Sequence, residues 1–185
     1  MISETLNEAD QKMTKSVEAT REEFAAIRAG RANPSMFNKI VADYYGALTP
    51  LQQLASFASQ DARTILVTPF DQGALDNIEK AIRDSDLGVN PSNDGKTIRC
   101  SFPELTEDRR KEYIKIAKTK AEDGKVSIRN IRRNAKQDLE KLEKDGEVGK
   151  DDVTGAEKRL DGLTKKHTDE IDDMLKKKEA ELLEV

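Results

Sequence analysis

Between Gly124 and Gln137 the chain reads GKVSIRNIRRNAKQ, with the cations Lys125, Arg129, Arg132, Arg133 and Lys136 and no acid among them. The run stands out because the 185-residue chain carries 36 Asp+Glu against 32 Lys+Arg, for a formal net charge of −4. If the segment is helical, Lys125, Arg129, Arg132 and Lys136 are spaced to share one face, with Arg133 beside them. Guanidinium forks match phosphate oxygens in pairs, and lysines add point charge. The chemistry such a stripe can do is therefore anion recognition. Its plainer use is a solvated face laced with salt bridges. Within the segment there is no acid to form them, which weakens that use, although neighbouring helices can still supply acids. With aromatic residues at 4%, stacking on single-stranded bases is disfavoured, and contact with the backbone of structured RNA is the better fit.

Other chemistry is sparse. His167 is the only histidine; it lies on the apolar side of the last helix, without a second His or a Cys nearby in sequence to share a metal. Cys100 alternates with Ile98 and Phe102, the pattern of a buried small hydrophobe in a strand. A lone cysteine forms no intramolecular disulfide and fits a reducing compartment. No phosphate-binding P-loop, GxGxxG or GxSxG run is found, and the carboxylates are spread along helices. These features point to a non-enzyme with no cofactor and no metal. No apolar run approaches the ~20 residues that span a bilayer, and the acidic N-terminus lacks a signal core. The expectation is a cytoplasmic protein with no membrane partner.

The elements that must hold the stripe follow from periodicity. Ile2, Leu6, Ala9, Met13, Val17, Thr20, Phe24 and Ile27 recur at helical steps, predicting a helix over residues 2–29 that stops at Gly30. Thr106, followed by Glu107 and Asp108, reads as the N-cap of a long helix reaching about Asp145. Its seam runs Ile114, Ala117, Ala121, Gly124, Ile128, Ile131, Ala135, Leu139 and Leu142, with small residues first, where another helix can approach closely. A last helix spans about Asp152 to Leu183. Between the first and second helices lie all five prolines and four short strand-like runs, Ile40–Tyr45, Leu54–Ala58, Thr64–Thr68 and Thr97–Phe102. One helix, about Ala74–Ser85, interrupts them.

The pattern is α+β: a long three-helix bundle, residues 1–30 and 105–185, with a small module, 31–104, inserted into it. Two chain segments, 30–34 and 102–105, cross the junction. Gly30, Arg31, Pro103, Glu104 and Leu105 are the candidate hinge.

Several stretches in order resemble the ribosome recycling factor family: IRAGRANPSMF at 27–37, DYYGALTPLQQLAS at 43–56, SDLGVNPSNDG at 85–95, LTEDRRKEYIK at 105–115, VSIRNIRRNAK at 126–136 and the terminal KKEAELLEV. The resemblance covers the whole chain. It implies an L-shaped, tRNA-like molecule with the inserted domain as a β/α/β sandwich. It implies binding to the post-termination ribosome and, with elongation factor G and GTP, separation of the subunits and release of mRNA and tRNA. GTP would be used by the partner. Arg129, Asn130, Ile131, Arg132 and Arg133 match the family's R-N-[IV]-R-R motif, so Arg129 and Arg132 are expected to contact large-subunit rRNA, assisted by Arg133. Arg28 and Arg31 match I-R-x-G-R-A and are expected to bind rRNA or to serve the hinge. The inserted domain would face the elongation factor. A monomer is expected. The competing reading is a coiled-coil or chaperone-like protein that dimerises through its seams; an enzyme would need a pocket joining carboxylates to Lys or Tyr.

Overall fold

The structure, a computed structural model, describes residues 1–28 and 30–184; Ala29 and Val185 lie outside the described residues. The elements run α1 (Ile2–Ala25), β1 (Val41–Tyr44), β2 (Ala47–Pro50), α2 (Leu51–Leu54), β3 (Ala55–Asp61), β4 (Thr64–Pro69), α3 (Leu75–Arg83), β5 (Asn90–Asn93), β6 (Ile98–Ser101), α4 (Glu107–Lys144) and α5 (Lys150–Leu183). The chain divides into two compact units, Met1–Phe24 with Lys115–Glu179, and Ala25–Ile114 with Ala180–Val185.

The first unit is built from α1, α4 and α5. Leu6, Ala9, Met13, Val17, Thr20 and Phe24 face inward from α1, and Ala117, Ala121, Gly124, Ile128, Ala135 and Leu139 from α4. Val153, Ala156, Leu160 and Ile171 complete the core from α5. The small-residue part of the α4 seam is a close helix approach. A Cβ added at Gly124 would collide with Thr20 Oγ1 and lie 3.0 Å from Ile171 Cδ1. His167 is buried as its position suggested, yet its contact is polar: Nε2 lies 2.6 Å from Asp10 Oδ1 on α1. At 38 residues, α4 is about 57 Å long. Thr106 Oγ1 accepts from Arg109 N at 3.2 Å, the N-cap expected of it. The helix closes at Gly146, whose φ of 73° accompanies bonds from Gly146 N to Glu143 O and from Glu147 N to Leu142 O. That pairing is a Schellman motif, and it needs the left-handed residue that glycine supplies.

The second unit holds two antiparallel sheets. One is the β1–β2 hairpin and the other has strand order β3-β4-β6-β5. Phe37, Leu51, Ile65, Ile78, Ile82, Ile98 and Cys100 form its core. Two strands escaped the sequence. β5 is Asn-Pro-Ser-Asn, an edge strand with no apolar alternation, where Pro91 is tolerated because an edge leaves its missing donor harmless. β2 is legible only as the partner of β1 across the Tyr45-Gly46 turn.

Helix α1 also ends earlier than its periodicity predicts, at Ala25 rather than 29. Ile27 and Arg28 are buried, at 7% and 6% exposure, within the second unit, so tertiary burial overrides the helical pattern there. Gly30 is not among the positive-φ glycines, so the helix stop does not depend on a left-handed Gly30.

Candidate functional site

All five stripe cations lie on α4 within the first unit, and the seam beneath them fixes their orientation. Ile128 is fully buried and Ala135 nearly so, while Ile131 is only half-buried. The stripe therefore sits above a two-residue footing rather than the three-residue one its spacing suggested.

The absence of acids within the segment does not leave the stripe bare. Lys125 Nζ lies 2.9 Å from Asp172 Oδ1 and 3.7 Å from Glu122 Oε2. Arg132 Nε donates to Asp161 Oδ1 at 2.7 Å. Asp161 and Asp172 are both on α5, which runs antiparallel beside α4 and brings its acids to the stripe's edge. Arg129 donates to Glu122 Oε1 at 3.0 Å, and that bond holds the Glu122 carboxyl below its ordinary range. Lys136 lies 3.9 Å from Glu140. Arg133 makes no ion pair among the described residues.

These pairs are exposed on at least one side, so solvent and salt screen them and each exchanges readily for another anion. A phosphate oxygen can replace the carboxylate oxygen at each of these donors with the same geometry.

The most accessible part of the face lies slightly to one side of the stripe as first drawn. Val126, Arg129, Asn130, Arg133, Asn134 and Gln137 are exposed and follow helical spacing, with no acid among them. Asn130, Asn134 and Gln137 add neutral donors and acceptors suited to sugar and phosphate oxygens. Being uncharged, they carry no signal in the charge pattern of the sequence. Arg132 and Lys125 flank this strip on the α5 side.

Arg28 is placed differently from the stripe. It is buried, it donates from Nη2 to Pro103 O, and its Cζ lies 5.5 Å from the centroid of the Phe102 ring. Burial pushes its pKa down, and its Nε has no partner. An arginine so enclosed has no surface to offer a large nucleic acid; it ties the chain after α1 to the segment before α4. The same two segments meet at the β3–β4 turn, where Ala32 N donates to Ala62 O at 2.8 Å and Phe102 N to Arg63 O at 2.7 Å. Arg31 is exposed, Pro103 and Glu104 are exposed, and Leu105 is buried. Gly30 is half-buried, and a Cβ there would meet Glu184 O at 3.3 Å. All of these residues fall inside the second compact unit.

Cys100 is buried in β6, and burial pushes its thiol up to about 12, so it is no nucleophile at neutral pH. No group of three or more His, Cys, Asp or Glu among the described residues is arranged to hold a metal. No helix among the described residues is long and apolar enough to cross a membrane.

A family model described as ribosome recycling factor matches residues 20–183. A ribosome-recycling factor of Nocardioides sp. strain JS614 is 78% identical over 185 residues, spanning the whole of both chains. One from Streptomyces avermitilis is 66% identical over the same full length of both. Among solved structures, the solution structure of a ribosome recycling factor superposes with a TM-score of 0.78 at 36% identity, covering 100% of this chain and 98% of that one. A model of the Thermus thermophilus ribosome recycling factor, placed with Escherichia coli elongation factor G on the E. coli post-termination complex, superposes at 0.69 with 42% identity over both full chains.

Proposed function

The chain belongs to the ribosome recycling factor family, and from that premise we propose that it binds the post-termination ribosome through α4 and acts there with elongation factor G. The observation that carries the reading is the exposed strip of Arg129, Asn130, Arg133 and Asn134, flanked by Arg132 and Lys125 on a helix whose other side is locked into a core. That strip offers charge and hydrogen bonds to large-subunit rRNA backbone with few stacking groups, the chemistry of shape recognition. The related factor placed with elongation factor G on a post-termination complex supports the choice of partners.

The mechanism is mechanical. The stripe anchors one unit, the elongation factor loads the other, and GTP hydrolysis stays with the elongation factor, releasing mRNA and tRNA as the subunits part. The protein supplies no catalytic group and uses no cofactor of its own. Seam-packed helices about 50–60 Å long give the stiffness that a lever needs. We place the pivot where the chain passes between the two units, at 24–25, 114–115 and 179–180; segments 30–34 and 102–105 lie within the second unit, beside the contacts of Arg28 with Pro103 and Phe102. Residual dipolar couplings that fit one fixed interdomain orientation in solution would remove the pivot from the mechanism.

Polysome breakdown in the presence of elongation factor G and GTP tests the function. Adding this protein should convert polysomes to monosomes and subunits, and omitting it should leave them intact. An unchanged polysome profile would refute the reading. A coiled-coil role predicts a stable dimer instead, which hydrodynamic size would reveal.

A further inference from the structure

His167 is the one histidine of the chain, and the contact of α4 with rRNA leaves it unused. It is 2% exposed on α5, yet both of its ring nitrogens face carboxylates. Nε2 lies 2.6 Å from Asp10 Oδ1 on α1, and Nδ1 lies 3.3 Å from Glu170 Oε1 one turn along α5. Nδ1 is buried and makes no hydrogen bond. Asp10 and Glu170 are partly exposed, so solvent reaches the carboxylates but not the ring between them.

The number of protons on the ring decides whether this arrangement is complete. A neutral imidazole has one N–H and one lone pair. With the N–H at Nε2 donating to Asp10, the Nδ1 lone pair faces a carboxylate oxygen, acceptor against acceptor. With the N–H at Nδ1, the same conflict moves to the shorter contact with Asp10. An imidazolium has two N–H groups and no lone pair, so it donates to both carboxylates at once. The second bond is charge-assisted, and making it removes an orphaned buried nitrogen.

Other charges around the ring are engaged elsewhere. On α1, Lys12 lies 2.8 Å from Glu8. On α5, Lys165 lies 2.6 Å from Asp169, and Lys166 is exposed. The side chains that α4 buries are all uncharged, and Asp138 on that helix acts on Lys12. Asp10 and Glu170 are thus the charges that bear on the ring.

The contact ties the first helix of the bundle to the last, across 157 residues of sequence. On α5 it lies between Asp161 and Asp172, the acids that meet Arg132 and Lys125. The stretch of α5 that flanks the cationic strip is therefore held to α1 near its middle. We propose that His167 is a proton-operated clasp: on taking its second ring proton it bridges Asp10 and Glu170 and tightens α1 against α5.

The test uses the full chain, whose histidine ring resonances report on this site alone because no second histidine is present. Urea unfolding is measured at pH 8 and at pH 5.5 for the unmodified protein, Glu170→Gln and His167→Gln. A proton bound more tightly in the folded than in the unfolded state makes stability rise as pH falls. Over that interval the unmodified protein should gain about fivefold or more in folding equilibrium constant relative to His167→Gln, a share of what a charged hydrogen bond contributes. Glu170→Gln keeps the ring and removes one of its two charges. It should lose most of that gain, and its ring resonances should titrate at lower pH than those of the unmodified protein. A stability difference from His167→Gln that is the same at both pH values overturns the proposal. So do ring resonances that titrate alike in the unmodified protein and Glu170→Gln. Because Glu170 is partly exposed, that second comparison decides the matter even if His167→Gln fails to fold.

Discussion

Gly124→Ala measures whether the helix carrying the stripe is packed as closely as the structure shows. In an open helix the substitution stabilises by about 1 kcal/mol, because alanine gives up less backbone entropy on folding. Gly162 on α5 provides that baseline, since a Cβ there meets nothing within 4 Å. At Gly124 the added Cβ collides with Thr20 Oγ1 and presses on Ile171 Cδ1 at 3.0 Å. The isoleucine tip can yield. The threonine cannot turn away without losing its 2.9 Å bond to Ser16 O. Overpacking of this kind costs roughly 1–3 kcal/mol, which cancels or exceeds the helix gain. Gly124→Ala is therefore expected to be neutral to about 2 kcal/mol destabilising, while Gly162→Ala gains about 1 kcal/mol. Urea unfolding followed by circular dichroism reads both as shifts in midpoint at constant slope. Adding Thr20→Ala to Gly124→Ala should recover part of the loss, as coupled neighbours do. A Gly124→Ala protein as stabilised as Gly162→Ala would refute the close approach of α1, α4 and α5.

Further outcomes follow from the site and its surroundings. Asp161→Asn removes the carboxylate that competes with phosphate for Arg132, so ribosome binding should tighten by about two- to fivefold, the equivalent of one surface ion pair; sedimentation assays check this, and weaker binding would show that Asp161 is needed to position the arginine. Cys100, with its thiol pushed up to about 12 by burial, should resist an aromatic disulfide reagent at pH 8 until the protein is unfolded. Because the unfolded thiol ionises near its ordinary value of about 8.5, the unfolded state loses its proton first, and the stability from this site should decline as pH rises from there toward 12. The bonds to Asp71 hold the phenols of Tyr44 and Tyr45 above their ordinary range. Tyrosinate absorbance at 295 nm should therefore appear at lower pH in Asp71→Asn than in the unmodified protein. The Asp71 carboxyl is itself held low, chiefly by the Gly73 amide and then by the two hydroxyls. Its contribution to stability is present above the ordinary Asp value and lost in acid, as pH falls through the lowered one.

The bundle was legible because long helices write their burial into local spacing. Every α1 residue that is buried in the structure lay on the seam read from the sequence, and so did Ala117, Ala121, Gly124, Ile128, Ala135 and Leu139 of α4. The N-cap at Thr106 was legible for the same reason, as a local interaction. What was hidden depends on distant partners. The end of α1 is set by the burial of Ile27 and Arg28, which the helical period of α1 itself cannot encode. β5 has no apolar face and exists because β6 pairs with it. At the site, the cations were visible, and Glu122 and Glu140 stand at pairing distance along the same helix, but the partners on α5 were hidden. Asp161 and Asp172 lie 29 and 47 residues from Arg132 and Lys125, and only the antiparallel packing of α5 brings them together. Asn130, Asn134 and Gln137 become visible as part of the strip once its exposed side is known.

If α4 binds rRNA phosphate through its arginines, ribosome binding must depend on salt in a way that those arginines set. Sedimentation over a range of monovalent salt gives the slope of log affinity against log salt for the unmodified protein and for Arg132→Gln. Arg132→Gln should bind more weakly, with a slope shallower by about 1 and with helicity and melting unchanged. The same affinity and slope in both proteins would contradict rRNA binding through these arginines.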